Sequence, residues 1–261
     1  MTDTPFLLRA DDQGVATITL NRPQARNALS LGMLKALRAE LKALAADTSI
    51  SVVIIAGAGP AFCAGHDLKE LHSGGYDEIY VDLLFAECAE VMQAIVTLPK
   101  PVIARVHGVA TAAGAQLVAS ADLAFAAEDS RFATPGVNIG LFCSTPMVAL
   151  SRNVSKKQAM QMLLSGDLID APTALRFGLV NELAPADKLE EVTAAYARKL
   201  ASKSPLTLAI GKEAFYRQAE LPLDEAYGYT RRVMADNLKA EDAREGIGAF
   251  LEKRPPVWCG R

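Results

Sequence analysis

No run in this chain approaches the about 18 consecutive apolar residues that a membrane-spanning helix needs, and no low-complexity segment interrupts its 261 residues. Cysteine is scarce. Cys63, Cys88, Cys143 and Cys259 are the four, none in a CxxC pair, which argues against a disulfide framework or a zinc ribbon. An excess of either charge is lacking as well: 27 Lys and Arg against 30 Asp and Glu leave a formal net charge of −3. The basic residues are dispersed, so neither nucleic acid nor a membrane is an expected partner. Of three histidines, His66 and His72 are close in sequence, but no cluster of further ligands surrounds them and no metal is expected. The chain opens MTDTPFLLRADDQG, without a charged-then-apolar leader, and with its unpaired cysteines this points to a cytoplasmic location.

What is present is a chain with 51% hydrophobic and 22% charged residues, enough to bury a substantial core as one large domain with a small appendage. Residues 6–10 and 15–20 read as a hairpin around Asp11-Asp12-Gln13-Gly14. Ser30 is placed to cap a helix whose Leu31, Leu34, Leu37, Leu41 and Leu44 recur at helical spacing, and 52–56 is a buried strand. Strand, strand, helix, strand argues for an α/β fold. Residues 71–80, with Gly74-Gly75, read as a mobile segment. From residue 189 the chain is helical almost to its end, which sets a division into 1–187 and 188–261.

The stretch KPVIARVHGVATAAGAQLVASADLAFA, residues 100–126, reads as strand, turn, helix, strand, with the helix expected over 109–121. Ala112, Ala113, Gly114 and Ala115 leave the helix start bare of large side chains, so another backbone or a ligand can approach it. The first N–H groups of a helix lack intrahelical partners and carry the positive end of its dipole, which favours a developing anion. On this run alone, tight helix packing is the favoured explanation.

A second motif, AFCAGHDLKE at 61–70, and a third, NRPQARNAL at 21–29, stand in order with this stretch. The pattern FxAGxDLKE, PVIAxVxGxAxxxGxxLxxxxD and NRPxxxNAL resembles the enoyl-CoA hydratase/isomerase, or crotonase, superfamily from about residue 7 to 258. Within it the chain is most similar to the enoyl-CoA hydratase domain-containing protein 3 group, on FCAGHDLKEL, ATAAGAQLVAS, FATPGVN and GLFCSTP. The resemblance implies a crotonase-type spiral of ββα units, with a helical C-terminal region that builds a homotrimer or a dimer of trimers. The implied partner is an acyl-CoA thioester, with coenzyme A as part of the substrate and no separate cofactor.

The resemblance also implies site residues. Two backbone N–H groups, of His66 and Ala113, would hold an oxyanion. Ala64, His66 and Leu68 fall where main-chain groups meet the adenine and pantetheine of CoA, with Asp67 and Gly114 beside them. Asp67 is also a candidate cap for the helix that follows. Lys69, Arg22 and Lys253 are candidates for the phosphates. Hydratases of the family use two glutamates for acid–base work, and the matching positions here are Gln116 and Gly136, neither of which takes up a proton. His66 resembles a histidine of the methylmalonyl-CoA decarboxylase members, and Cys143 lies near their tyrosine. Three readings stay open: a hydratase/isomerase-family enzyme relying on its oxyanion hole, a decarboxylase-like enzyme or acyl-CoA hydrolase, and a non-catalytic acyl-CoA binder.

Overall fold

Strands β1 (Leu7–Asp12) and β2 (Val15–Leu20) pair antiparallel. Gln13 and Gly14 between them both take positive φ, +48° and +77°, the turn whose twist matches that of the strands it joins. A computed structural model describes residues 4–261. Ser30 Oγ accepts the Met33 N–H at 3.2 Å and starts α1 (Leu31–Ala46), whose Leu34, Leu37, Leu41 and Leu44 form the buried stripe expected of an amphipathic helix.

β3 (Val52–Gly57) is buried over five of its six residues, as a strand covered on both faces must be. It lies parallel to β2 and to β4 (Val102–Val106), and β6 (Leu123–Ala127) and β9 (Glu182–Ala184) follow in parallel to complete a sheet ordered β1-β2-β3-β4-β6-β9. Short strands β5 (Val109–Thr111), β7 (Arg131–Ala133) and β8 (Ile169–Asp170) make a second sheet. Single bridges, Leu29 with His66 and Cys63 with Ala110, carry that layer back to the first coils. Each coil thus adds a strand to the large sheet, a short strand or bridge to the small one, and then helical structure, which is the ββα spiral.

Those helices are α2 (Leu68–Ser73), α3 (Glu78–Thr97), α4 (Ala113–Ser120), α5 (Ser144–Asn153), α6 (Lys156–Ser165) and α7 (Ala171–Phe177). α1, α3 and α4 pack against the face of the large sheet presenting Val53 and Ile55. The opposite face, with Val52 and Ile54, is covered by α8 (Leu189–Ala201), where the Tyr196 ring lies 5.1 Å from that of Phe125. α9 (Pro205–Gln218), α10 (Leu223–Asn237) and α11 (Glu241–Glu252) follow. α9 is fixed to the sheet through Asp122, which accepts from Lys212 Nζ at 2.7 Å and from the Tyr216 hydroxyl at 2.9 Å. Burial pushes the Lys212 pKa down, against the pull of Asp122.

Two local expectations change. Of residues 109–121, the first three form β5, because Val109 and Thr111 suit a strand and the chain reverses at Ala112 before the helix begins. The segment 71–80 is largely helical, the end of α2 and the start of α3 around a turn at Gly74 to Asp77, with Asp77 Oδ1 accepting the Tyr80 N–H at 2.8 Å as a cap.

Candidate active site

The start of α4 and the loop after Cys63 are in backbone contact. Cys63 N–H donates to the Val109 carbonyl at 3.1 Å, Thr111 N–H returns to the Cys63 carbonyl at 2.9 Å, and Thr111 Oγ1 donates to the Ala64 carbonyl at 3.1 Å. Gly65, at φ +96°, is pressed so closely that a Cβ there would stand 2.8 Å from Ala112 Cβ and 3.4 Å from Ala113 N. Ala112 caps α4 at φ +51°, ψ −118° with no side-chain hydrogen bond. An alanine at positive φ stores strain on the order of 1–2 kcal/mol. It turns the chain so that α4 begins beside the loop. Among the described residues neither the His66 N–H nor the Ala113 N–H donates to a protein acceptor. Two unsatisfied donors, one of them at a helix N-terminus, therefore flank the Gly65 turn.

Beside them lies a cavity of about 500 Å³, into which Ala64, His66, Leu68, Ala113, Gly136 and Cys143 all face. The His66 ring meets the edge of Phe85, centroids 5.0 Å apart, and both its nitrogens are buried without a hydrogen-bond partner among the described residues. Burial pushes its pKa below the ordinary imidazole value, against a smaller opposing pull from the Leu29 carbonyl, so the ring is neutral at pH 7. Burial likewise pushes the Cys143 thiol up, so it stays protonated despite some relief from the Gly136 backbone. Gly136 has no room for a side chain: a Cβ would lie 2.6 Å from the Leu141 carbonyl oxygen and 2.9 Å from Cys143 Sγ.

Other residues named from the sequence sit elsewhere. Gln116 is buried on α4 but lines a separate cavity between α3, α5 and α9, its Oε1 unpartnered. Gly114 packs against Cys63. Asp67 Oδ1 caps α2 through the Lys69 and Glu70 N–H groups, and its Oδ2 accepts from Arg22 at 2.8 Å. Burial would raise the Asp67 carboxyl, but Arg22 and the two N–H groups outweigh it and hold it below the usual range. Arg22 also donates to the Ala28 carbonyl at 2.7 Å, so its guanidinium ties the 21–29 segment to the loop. Lys69 is exposed on α2, and Lys253 is exposed at the end of α11, at φ +57°. His107 Nε2 bonds the Gly59 carbonyl at 2.7 Å. Among the described residues no three His, Cys, Asp or Glu side chains converge as a metal site, and no helix is long and apolar enough to cross a membrane.

Sequence reading put FCSTP at 142–146 and the segment from Leu71 beside the site, but it missed Phe85. Leu71, Phe85, Leu141, Phe142 and Pro146 line the cavity. The helical spacing of Leu84, Cys88, Val91 and Ile95 was the available signal for α3, and through it for Phe85.

The model of the enoyl-CoA hydratase/isomerase family matches residues 10–261. The chain belongs to that family. It is an acyl-CoA enzyme of the enoyl-CoA hydratase/isomerase type, sharing with the family the α/β spiral described above. A rat relative, enoyl-CoA hydratase domain-containing protein 3, mitochondrial, is 49% identical over 94% of this chain and 81% of its own length. The 2,3-dehydroadipyl-CoA hydratase of Escherichia coli is 37% identical over 98% of this chain and 99% of its own. The crystal structure of an enoyl-CoA hydratase from Mycobacterium smegmatis superposes with a TM-score of 0.95 at 51% identity, covering 98% of this chain and 99% of that one. The frog, mouse and human relatives carry the same mitochondrial name as the rat protein. These names overturn the cytoplasmic expectation, because unpaired cysteines report only that an environment is reducing, not which compartment supplies it.

Proposed function

We propose that the chain receives the thioester carbonyl of an acyl-CoA between the His66 and Ala113 N–H groups and stabilises it as an enolate or tetrahedral oxyanion, with the His66 imidazole as the titratable group beside the acyl chain. The observation that supports this is the pair of unsatisfied N–H groups flanking Gly65 at the mouth of the cavity. Donors held in place before charge develops stabilise the transition state more than the ground state, and removal of one such donor typically costs about 10²- to 10³-fold in rate. His66, neutral and without a partner, is a base waiting for a proton, and it returns that proton to carbon in the second half of a proton transfer. Cys143 and Gly136 line the same cavity. The main-chain groups of Ala64 and Leu68 serve the pantetheine, Lys69 and Lys253 are the exposed cations for its phosphates, and no cofactor beyond the substrate's own CoA enters this reading. The relatives named as hydratases favour enoyl-CoA as the substrate form.

The test is binding of acetoacetyl-CoA, whose enolate is detected by its absorbance, to the wild-type protein and to Ala113→Pro. Proline removes the N–H and is tolerated in the first turn of a helix. Enolate binding by the wild type and its loss in a folded Ala113→Pro protein are expected. Equal enolate binding by both overturns the assignment of Ala113.

A further inference from the structure

We propose that the cavity beside the oxyanion hole takes an uncharged acyl chain and rejects one carrying a second carboxylate, an inference that rests on the acyl-CoA reading above and adds the class of acyl group. The walls are apolar on both sides: Leu71 and Phe85 from α2 and α3, Leu141, Phe142 and Pro146 from the segment entering α5. Not one of the side chains lining the cavity is Lys, Arg, Asp or Glu.

The polar members offer little to an anion. Asn138 Nδ2 is turned to the Gly166 carbonyl at 3.5 Å, and Ser144 Oγ donates to the Phe142 carbonyl at 3.3 Å. The N-terminus of α5 opens on the cavity, yet the Ser144 N–H is engaged by the Phe142 carbonyl at 2.7 Å and Pro146 has none. Thr145 supplies the one remaining N–H of that turn. His66 is held neutral by burial and donates at most one hydrogen bond. A carboxylate entering this cavity exchanges its hydration shell for a few uncharged donors, among them the Thr145 N–H and hydroxyl and one His66 N–H, and otherwise for hydrocarbon, and burial of a charge on those terms is unfavourable. A methyl-terminated chain meets the opposite balance: each methylene buried against these walls tightens binding by about fourfold.

Hexanoyl-CoA and adipoyl-CoA isolate the effect, since they have the same chain length and differ in the terminal carboxylate. Isothermal titration of the assembled protein with both, with octanoyl-CoA and with free CoA gives the comparison. Hexanoyl-CoA is expected to bind about 100-fold or more tightly than adipoyl-CoA, and octanoyl-CoA more tightly still. Leu141→Arg, at a wall position 55% exposed and therefore tolerant of a long polar side chain, is expected to raise adipoyl-CoA affinity at least tenfold, with Ile139→Arg, 58% exposed, as a second variant should the first not fold. Equal affinities for hexanoyl-CoA and adipoyl-CoA in the wild type overturn the inference and leave the acyl-CoA reading standing. If no acyl-CoA binds more tightly than free CoA, it is the acyl-CoA reading that falls.

Discussion

Gly114 faces Cys63 so closely that a Cβ on Gly114 would stand 2.1 Å from the Cys63 carbonyl oxygen. That carbonyl also accepts the Thr111 N–H, so loop and helix are locked backbone to backbone within one turn of the unpartnered His66 and Ala113 N–H groups. The spacing between the His66 and Ala113 N–H groups is therefore set by main-chain contact.

Gly114→Ala forces the loop and α4 apart, because the clashing atom is a backbone oxygen with no freedom to rotate away. Overpacking of this kind typically costs about 1–3 kcal/mol. Acetoacetyl-CoA enolate binding is expected to fall far more than stability alone explains. Gly211→Ala is the control: position 211 is exposed on α9, a Cβ there meets nothing within 4 Å, and a gain of about 0.5–1 kcal/mol is expected. Urea melts of the two variants beside binding titrations decide it, and a Gly114→Ala protein as stable and as tight-binding as wild type shows that the contact does not set the hole.

Crotonyl-CoA hydration by this chain is expected to be slow beside a relative with two catalytic glutamates, since each acid–base group typically contributes about 10²- to 10⁴-fold. Restoring the carboxylates does not repair it. Gly136→Glu drives its Cβ against the Leu141 carbonyl and Cys143 Sγ. Gln116→Glu buries a carboxyl in a cavity other than the one His66 faces, where desolvation keeps it protonated. Loss of enoyl absorbance follows the reaction. A rapid wild-type turnover, or a fast Gly136→Glu enzyme, contradicts the reading of these two positions.

Much of the fold was legible because the signals were local and repeated. The leucines of α1, the β-branched runs of β3 and β4 and the Ser30 cap each specify their element by spacing alone. The donors at His66 and Ala113 were readable as motif positions, but their being unsatisfied depends on the turn at Ala112, and an alanine at positive φ has no signature in a sequence. Asp67 and Arg22 show the same limit from the other side. Asp67 was legible as a helix cap and Arg22 as a candidate for phosphate, but only the folded chain brings the two together, 2.8 Å apart across 45 positions. The separation of Gln116 from the His66 cavity follows from which way one turn of α4 faces, a property of packing rather than of spacing.

The C-terminal helices leave large apolar side chains in water: Phe250 is 82% exposed, Leu223 75%, Leu251 73% and Tyr227 71%. Four such residues on α10 and α11 exceed the scatter of single apolar residues that a monomer surface carries, and a closed symmetric assembly is the usual way to bury them. A homotrimer or hexamer is expected by light scattering coupled to size exclusion. Phe250→Glu should shift the protein toward monomer. A wild-type monomer at micromolar concentration refutes it.

His66 should make stability fall as pH drops. In the unfolded chain its imidazole titrates near the ordinary value of about 6.5, whereas in the fold burial moves the pKa below that value. Above about pH 6.5 the ring is neutral in both states and contributes nothing to the pH dependence. Below it the unfolded chain binds a proton that the folded chain resists, so the unfolded state is favoured progressively until the folded pKa is reached. No charged side chain lines the cavity to offset this. Urea melts at pH 7.5, 6.5 and 5.5 on wild type and His66→Leu are the measurement. The wild type is expected to lose stability over the last interval, and the leucine variant to lose less, since it removes two buried polar atoms that lack partners and has nothing to protonate. Activity supplies an independent reading of the same group: with His66 acting as a neutral base, kcat/KM stays flat from pH 8 to 7 and declines only below the ordinary imidazole range. Identical pH dependence of stability in wild type and His66→Leu would show that the ring titrates as freely in the fold as in the unfolded chain.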